Sequence, residues 1–125
     1  HVEDHCAALD LLLERGRPGE TYNIGGGTEL TNLELTGAIL KEVGKPMSLI
    51  RRVKDRPGHD RRYSLDTTRL RRLGWRPRVA FKDGLAATVE WYRSQSGWWK
   101  AIKSESQEYR RFHEAQYGEE PPSRP

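Results

Sequence analysis

Apolar residues recur at helical spacing from the start of the chain. Cys6, Ala8, Leu9, Leu12 and Leu13 share a face, which predicts a helix over residues 3–15. Glu3 and Asp4 fall in its first turn, where acidic groups suit the helix dipole. Gly16-Arg17-Pro18-Gly19 stops the helix and makes a turn. The run Thr21-Tyr22-Asn23-Ile24 reads as a short strand, and Gly25-Gly26-Gly27 as a tight, permissive loop. Thr31 and Glu34 stand at the spacing of a capping box. A second helix then runs to about Val43, with Leu33, Leu35, Ala38, Ile39 and Val43 as its apolar set, and Gly44-Lys45-Pro46 ends it.

Residues 48–53 read as a second strand, leading into the string DRPGHDRRY at 55–63. Asp66 is placed to cap a short helix over 67–73, which Gly74 and Pro77 stop. Asp83 is placed to cap a further helix reaching about Ser94. Residues 98–102 and 106–117 read as helical pieces, and the Pro- and Glu-rich stretch 118–125 as a disordered tail. The expected fold class is α+β, several helices with two or three short strands. So small a sheet leaves its edges open, which fits a subdomain that docks on something larger. The chain also opens at His1 directly in a helical pattern, as if further residues preceded it.

Composition points the same way. The chain has 125 residues, enough for one domain and a modest core. Counting Gly but not Tyr, about 40% are apolar, against roughly 45–50% in a typical globular domain. A single cysteine, Cys6, excludes an internal disulfide and suits a reducing cytoplasm. No apolar run approaches the length of a membrane span.

The net charge of +4 does not demand nucleic acid. Its local excess lies in residues 51–62, where Arg51, Arg52, Lys54, Arg56, Arg61 and Arg62 oppose Asp55 and Asp60. Such a cluster suits a small multivalent anion, or forms a solvated face.

The DRPGHDRRY string carries the sharpest chemistry. Pro57 blocks a helix and Gly58 permits a sharp turn. Arg56 and His59 flank that bend, and an Arg fork matches phosphate oxygens. Asp55 can accept from a ligand hydroxyl or orient Arg56. A surface turn with internal ion pairs is the plainer alternative.

Other features are weaker. The triple glycine departs from the dinucleotide fingerprint, because position 30 is Leu30, and a structural turn accounts for it. Asn32 opens the second helix, where it can meet a polar ligand or share capping with Thr31. His1 and His5 stand four apart but lack an evident third ligand, so no metal is expected. Trp91, Tyr92, Trp98, Trp99, Tyr109 and Tyr117 suit packing better than base stacking. There is no Tyr-x-x-x-Lys pair, Walker loop or HExxH motif, so no catalytic residue is assigned.

The strings VEDHCAALDLLLERGRPGETYNIGG, TNLEL, VKDRPGHDRRYSLDTTRL, LGWRP and GLAATVEWY run in order along nearly the whole chain. Together they resemble the C-terminal part of the dTDP-glucose 4,6-dehydratases, within the extended short-chain dehydrogenase/reductase family. DRPGHDRRY is the most specific of them. The resemblance implies that residues 1–117 form a nucleotide-sugar-binding part whose partner, a Rossmann domain holding NAD, is missing from this chain. It implies an enzyme that converts dTDP-glucose to dTDP-4-dehydro-6-deoxy-glucose with loss of water. The catalytic groups would lie in the missing part, and this chain alone would be inactive.

By the same resemblance, the dTDP-sugar would be contacted by Asn32, Asp55, Arg56, Pro57, Gly58, His59 and Tyr117. Members are usually cytoplasmic homodimers without nucleic-acid or membrane partners. This chain departs from the family pattern at His1, often aromatic there, in a stretch before Leu73-Gly74-Trp75 that is one residue short, and in its proline-rich tail. Alternatives are a stand-alone binder of nucleotide-sugars or other phosphorylated ligands, a related epimerase or dehydratase, and a weak nucleic-acid binder using residues 51–62.

Overall fold

The computed structural model describes residues 1–52, 55 and 57–117, the side chains of residues 104, 105, 113, 116 and 117 excepted. The tail read as disordered, 118–125, lies outside the described residues. The chain divides into two compact units, His1–Val89 and Glu90–Pro125.

The first unit begins with α1, Val2–Arg15, which ends where the Gly16 N–H donates to the Leu12 carbonyl at 2.8 Å. The face that α1 turns inward keeps only Ala8 and Leu12 of the five residues read from the sequence. Asp4 and Ala8 are buried, and Leu11 and Leu12 pack on the core, whereas Leu9, Leu13 and Cys6 are exposed. Leu13 is 88% exposed. Asp4, Ala8, Leu11 and Leu12 stand at i, i+4, i+7 and i+8, so they share one stripe. Hydrophobicity alone did not select it, because its first member is a carboxylate.

The capping-box reading of the second helix holds. In α2, Asn32–Val43, the Thr31 hydroxyl accepts from the Glu34 N–H at 3.2 Å, and Glu34 Oε2 accepts from the Thr31 N–H at 2.7 Å. At the other end Gly44 adopts φ 71° and ψ 36°, the left-handed conformation, and its N–H and that of Lys45 cover the last carbonyls.

The core gathers around Leu70 of α3, Thr68–Arg72. Leu70 and Ala8 are fully buried and Trp75 nearly so, with Leu11, Leu12 and Ile24 packed around them. Asp66 does not occupy the cap position itself. Thr67 does, and Asp66 Oδ1 accepts from the Thr68 N–H at 2.8 Å from one residue earlier. Helix α4, Phe81–Ser94, starts before Asp83, so Asp83 sits in its first turn and is not its cap.

The α+β expectation is corrected: the described residues are helical and contain no strand. Residues 21–24 form no backbone ladder. Side chains hold this stretch instead. The Arg69 guanidinium pairs with Glu20, donates to the Thr21 carbonyl at 3.0 Å and lies 5.9 Å from the centre of the Tyr22 ring, while Asn23 Nδ2 donates to the Asp66 carbonyl at 3.1 Å. The second stretch read as a strand begins instead as a 3-10 turn, Met47–Leu49, capped by Pro46; residue 53 lies outside the described residues. A strand exists only when a second extended backbone exchanges hydrogen bonds with it. Local β preference at 21–24 and 48–52 meets no such partner among the described residues.

The second unit holds the end of α4 with α5, Ser96–Glu105, and α6, Gln107–Tyr117. Trp91 meets Tyr92 and Trp98 edge-on, with ring centroids 5.1 and 5.3 Å away. Trp99 Nε1 donates to the Tyr92 carbonyl at 2.8 Å, and Ser106 Oγ accepts from the Tyr109 N–H at the start of α6. No helix among the described residues is long and apolar enough to cross a membrane.

Candidate functional site

Two segments of the first unit carry the residues singled out from the sequence, Tyr117 excepted. The first is the loop at 55–64. Pro57 and Gly58 make its turn, and Gly58 takes φ 69°, a conformation that glycine adopts without steric cost. Across this turn His59 Nδ1 lies 2.7 Å from Asp55 Oδ1. Asp55 and His59 therefore orient each other, an internal pairing that leaves Pro57 and Gly58 exposed between them. Arg56 lies outside the described residues. Further along, the Tyr63 hydroxyl donates to Asp60 Oδ2 at 3.1 Å.

The second segment is the approach to α2. Asn32 is the first residue of the helix and is exposed. Thr31, not Asn32, supplies the cap, which leaves the Asn32 carboxamide with no hydrogen-bond partner among the described residues. Glu34, bonded to the Thr31 N–H and hydroxyl, is held below the ordinary carboxylate range, chiefly by that N–H.

Glu29 joins the two segments, and nothing in the local sequence marked it. Its Oε2 accepts from Arg62 Nε at 2.7 Å, and its Oε1 from Arg62 Nη2 at 2.9 Å and Ser64 Oγ at 2.7 Å. The Arg62 fork, and then the Ser64 hydroxyl, depress its pKa to about 2. These partners lie 33 and 35 positions away, beyond the reach of any short motif.

A cavity of about 290 Å³ opens at the start of α1, lined by His1, His5, Gly25, Gly26, Thr28 and Phe81 among others. The carboxylate of Asp4 at its wall is already engaged. It accepts from the Arg78 N–H at 2.8 Å and the Val79 N–H at 3.1 Å, while Trp75 Nε1 donates to the Asp4 carbonyl at 3.1 Å. The two N–H donors to the carboxylate, that of Arg78 first, lower the Asp4 pKa against the opposing effect of burial. Among the described residues no group of three His, Cys, Asp or Glu is placed to hold a metal ion, although His1 and His5 line the same cavity. Tyr117 is the last residue of α6, in the second unit.

The chain matches the family model described as GDP-mannose 4,6 dehydratase over residues 1–88. It is 62% identical over 105 residues to a dTDP-glucose 4,6-dehydratase of Streptomyces niveus, a match spanning 83% of this chain and 31% of that protein. Among solved structures it is similar to DesIV, a dTDP-glucose 4,6-dehydratase of Streptomyces venezuelae crystallised with NAD, at 56% identity and a TM-score of 0.79 over 82% of this chain and 32% of DesIV. The dTDP-glucose 4,6-dehydratase of Bacillus anthracis, also in complex with NAD, gives 44% identity and a TM-score of 0.77 over 82% of this chain and 33% of that one. The chain thus spans about a third of the length of the relatives it matches. With this family match over most of its length, the chain belongs to the GDP-mannose 4,6 dehydratase family, and its similarity there is to the dTDP-glucose 4,6-dehydratases.

Proposed function

We propose that this chain is the nucleotide-sugar-binding part of a dTDP-glucose 4,6-dehydratase. The whole protein would convert dTDP-glucose to dTDP-4-dehydro-6-deoxy-glucose with loss of water. The observation that carries the reading is the loop at 55–64: a Pro57–Gly58 turn pinned by the Asp55–His59 pair, in a chain 62% identical to such a dehydratase over 105 residues.

In this reading Arg56 grips the diphosphate with its planar fork. The exposed Pro57 and Gly58 lie against the ligand, and Asp55 and His59 set the loop's shape. Asn32, its carboxamide unspent on capping, supplies a donor and an acceptor to the nucleotide.

NAD is assigned to a part of the protein outside this chain, because the described residues do not fit it. A dinucleotide pyrophosphate needs open N–H groups at a helix start reached directly from a glycine turn. Here Gly27 is followed by Thr28, Glu29 and Leu30, and the start of α2 is already closed by Thr31 and the Glu34 carboxylate. The family resemblance places the catalytic groups in that same part, so no catalytic step is assigned to this chain. A soluble cytoplasmic homodimer completes the proposal.

Titration with dTDP tests it. The protein binds dTDP, and Arg56→Ala weakens that binding by about 1.5–3 kcal/mol, the range for a charged hydrogen bond. An unchanged Kd in the variant refutes the role of the loop. Mass spectrometry of dTDP-glucose incubated with the protein in its full natural length and NAD should report loss of water.

A further inference from the structure

Glu29 is the point where the two candidate segments meet. Its carboxylate takes both arms of the Arg62 fork and the Ser64 hydroxyl, all at 2.9 Å or less. Three residues beyond Glu29 stands Asn32, and three residues before Arg62 stands His59. The Asp55–His59 and Tyr63–Asp60 bonds span four residues or fewer. They shape the loop without anchoring it to the rest of the unit. The Glu29 bonds cross 33 and 35 positions and do anchor it.

A lone surface ion pair contributes little, since water and salt screen it and two long side chains must be ordered. This one differs in geometry. The fork is bidentate, so one contact fixes both distance and angle. The hydroxyl of Ser64 meets the same carboxylate, so the chain is held at two points with one residue between them. A glycine-containing turn needs such restraint, because each free residue carries conformational entropy that a ligand must otherwise remove on binding.

We propose that Glu29 is a positioning residue for nucleotide-sugar binding: by holding Arg62 and Ser64, it presents the Pro57–His59 turn and Asn32 as one preformed surface. The inference rests on the functional reading above and adds to it a residue that touches no ligand. Losing the tie leaves the turn intact but populates loop positions that do not bind. Apparent affinity then falls in proportion to the fraction of binding-competent loop.

The test compares the protein with Glu29→Gln, which keeps the size and loses the charge, and Glu29→Asp, which keeps the charge. Calorimetry with dTDP gives Kd, and hydrogen exchange reports amides 57–64 and, separately, those of α1. Glu29→Gln should raise Kd roughly three- to tenfold and speed exchange in 57–64 while α1 is unchanged. Glu29→Asp should recover part of both losses. If the protein binds dTDP and Glu29→Gln changes neither Kd nor exchange in 57–64, this inference alone is overturned. It also falls if α1 loosens equally, which would make Glu29 a general support of the fold. A protein that does not bind dTDP defeats the functional reading, and the positioning role with it.

Discussion

Leu70→Ala offers the most direct test of the core. Leu70 is the largest side chain in the described structure with no solvent exposure, and it is surrounded by Ala8, Leu11, Leu12, Ile24 and Trp75. Removing it loses the transfer free energy of the buried groups and leaves a cavity, together about 2–5 kcal/mol in well-packed cores. Leu11, Leu12 and Ile24 are only partly buried and have room to settle inward. The lower half of that range therefore applies, about 2–3 kcal/mol. In a unit the size of His1–Val89 each kcal/mol moves the midpoint by roughly 4–8 °C, so Tm should fall by roughly 10–20 °C. Far-UV circular dichroism against temperature measures this, with urea unfolding as a second estimate. The control is Leu13→Ala, 88% exposed on the opposite side of α1. It should stay within about 0.5 kcal/mol of the parent. Equal losses in the two variants would refute the assignment of the buried stripe.

Two further predictions concern backbone and charge. Gly58→Ala should cost about 1–2 kcal/mol from its positive φ alone, because an added Cβ meets nothing within 4 Å; Gly26→Ala, equally open and without a positive φ, should be near neutral, and dTDP affinity with loop hydrogen exchange separates them. Asp4 has a folded pKa lowered from its ordinary 3.8, so its contribution is present above that value and is lost as pH falls through the lower folded pKa. Asp4→Asn turns an amide N–H₂ toward a backbone N–H of Arg78 or Val79; it should lower Tm near neutral pH and flatten the fall in Tm below pH 3.8. An acid limb unchanged by the substitution would show that the carboxylate does not clamp this segment.

The turn within the candidate loop was legible because its chemistry is local. A proline next to a glycine makes a turn wherever it occurs, but the bond between Asp55 and His59 across it was not read from the sequence, which set Asp55 toward Arg56 or a ligand hydroxyl. Asn32 was legible as the residue at a helix entrance, but its freedom to meet a ligand was not. That depended on whether Thr31 alone completed the cap, and it does. The Glu29 tie had no signature, since a carboxylate can pair with any of many arginines until the path of the chain brings one near.

What the sequence determined by itself were the helices and their punctuation: the capping box at Thr31 and Glu34, the left-handed Gly44, and the turn at Pro57 and Gly58. Each depends on interactions within about four residues, written in adjacent letters. Tertiary structure alone decided three things. It withheld a pairing partner from the stretch at 21–24, it turned Asp4 and Leu11 of α1 inward in place of Cys6, Leu9 and Leu13, and it joined Glu29 to Arg62 and Asp4 to Arg78 and Val79. The physical reason is common to all three. A β ladder, a buried face and a distant hydrogen bond each need a second surface, and only the folded chain supplies it.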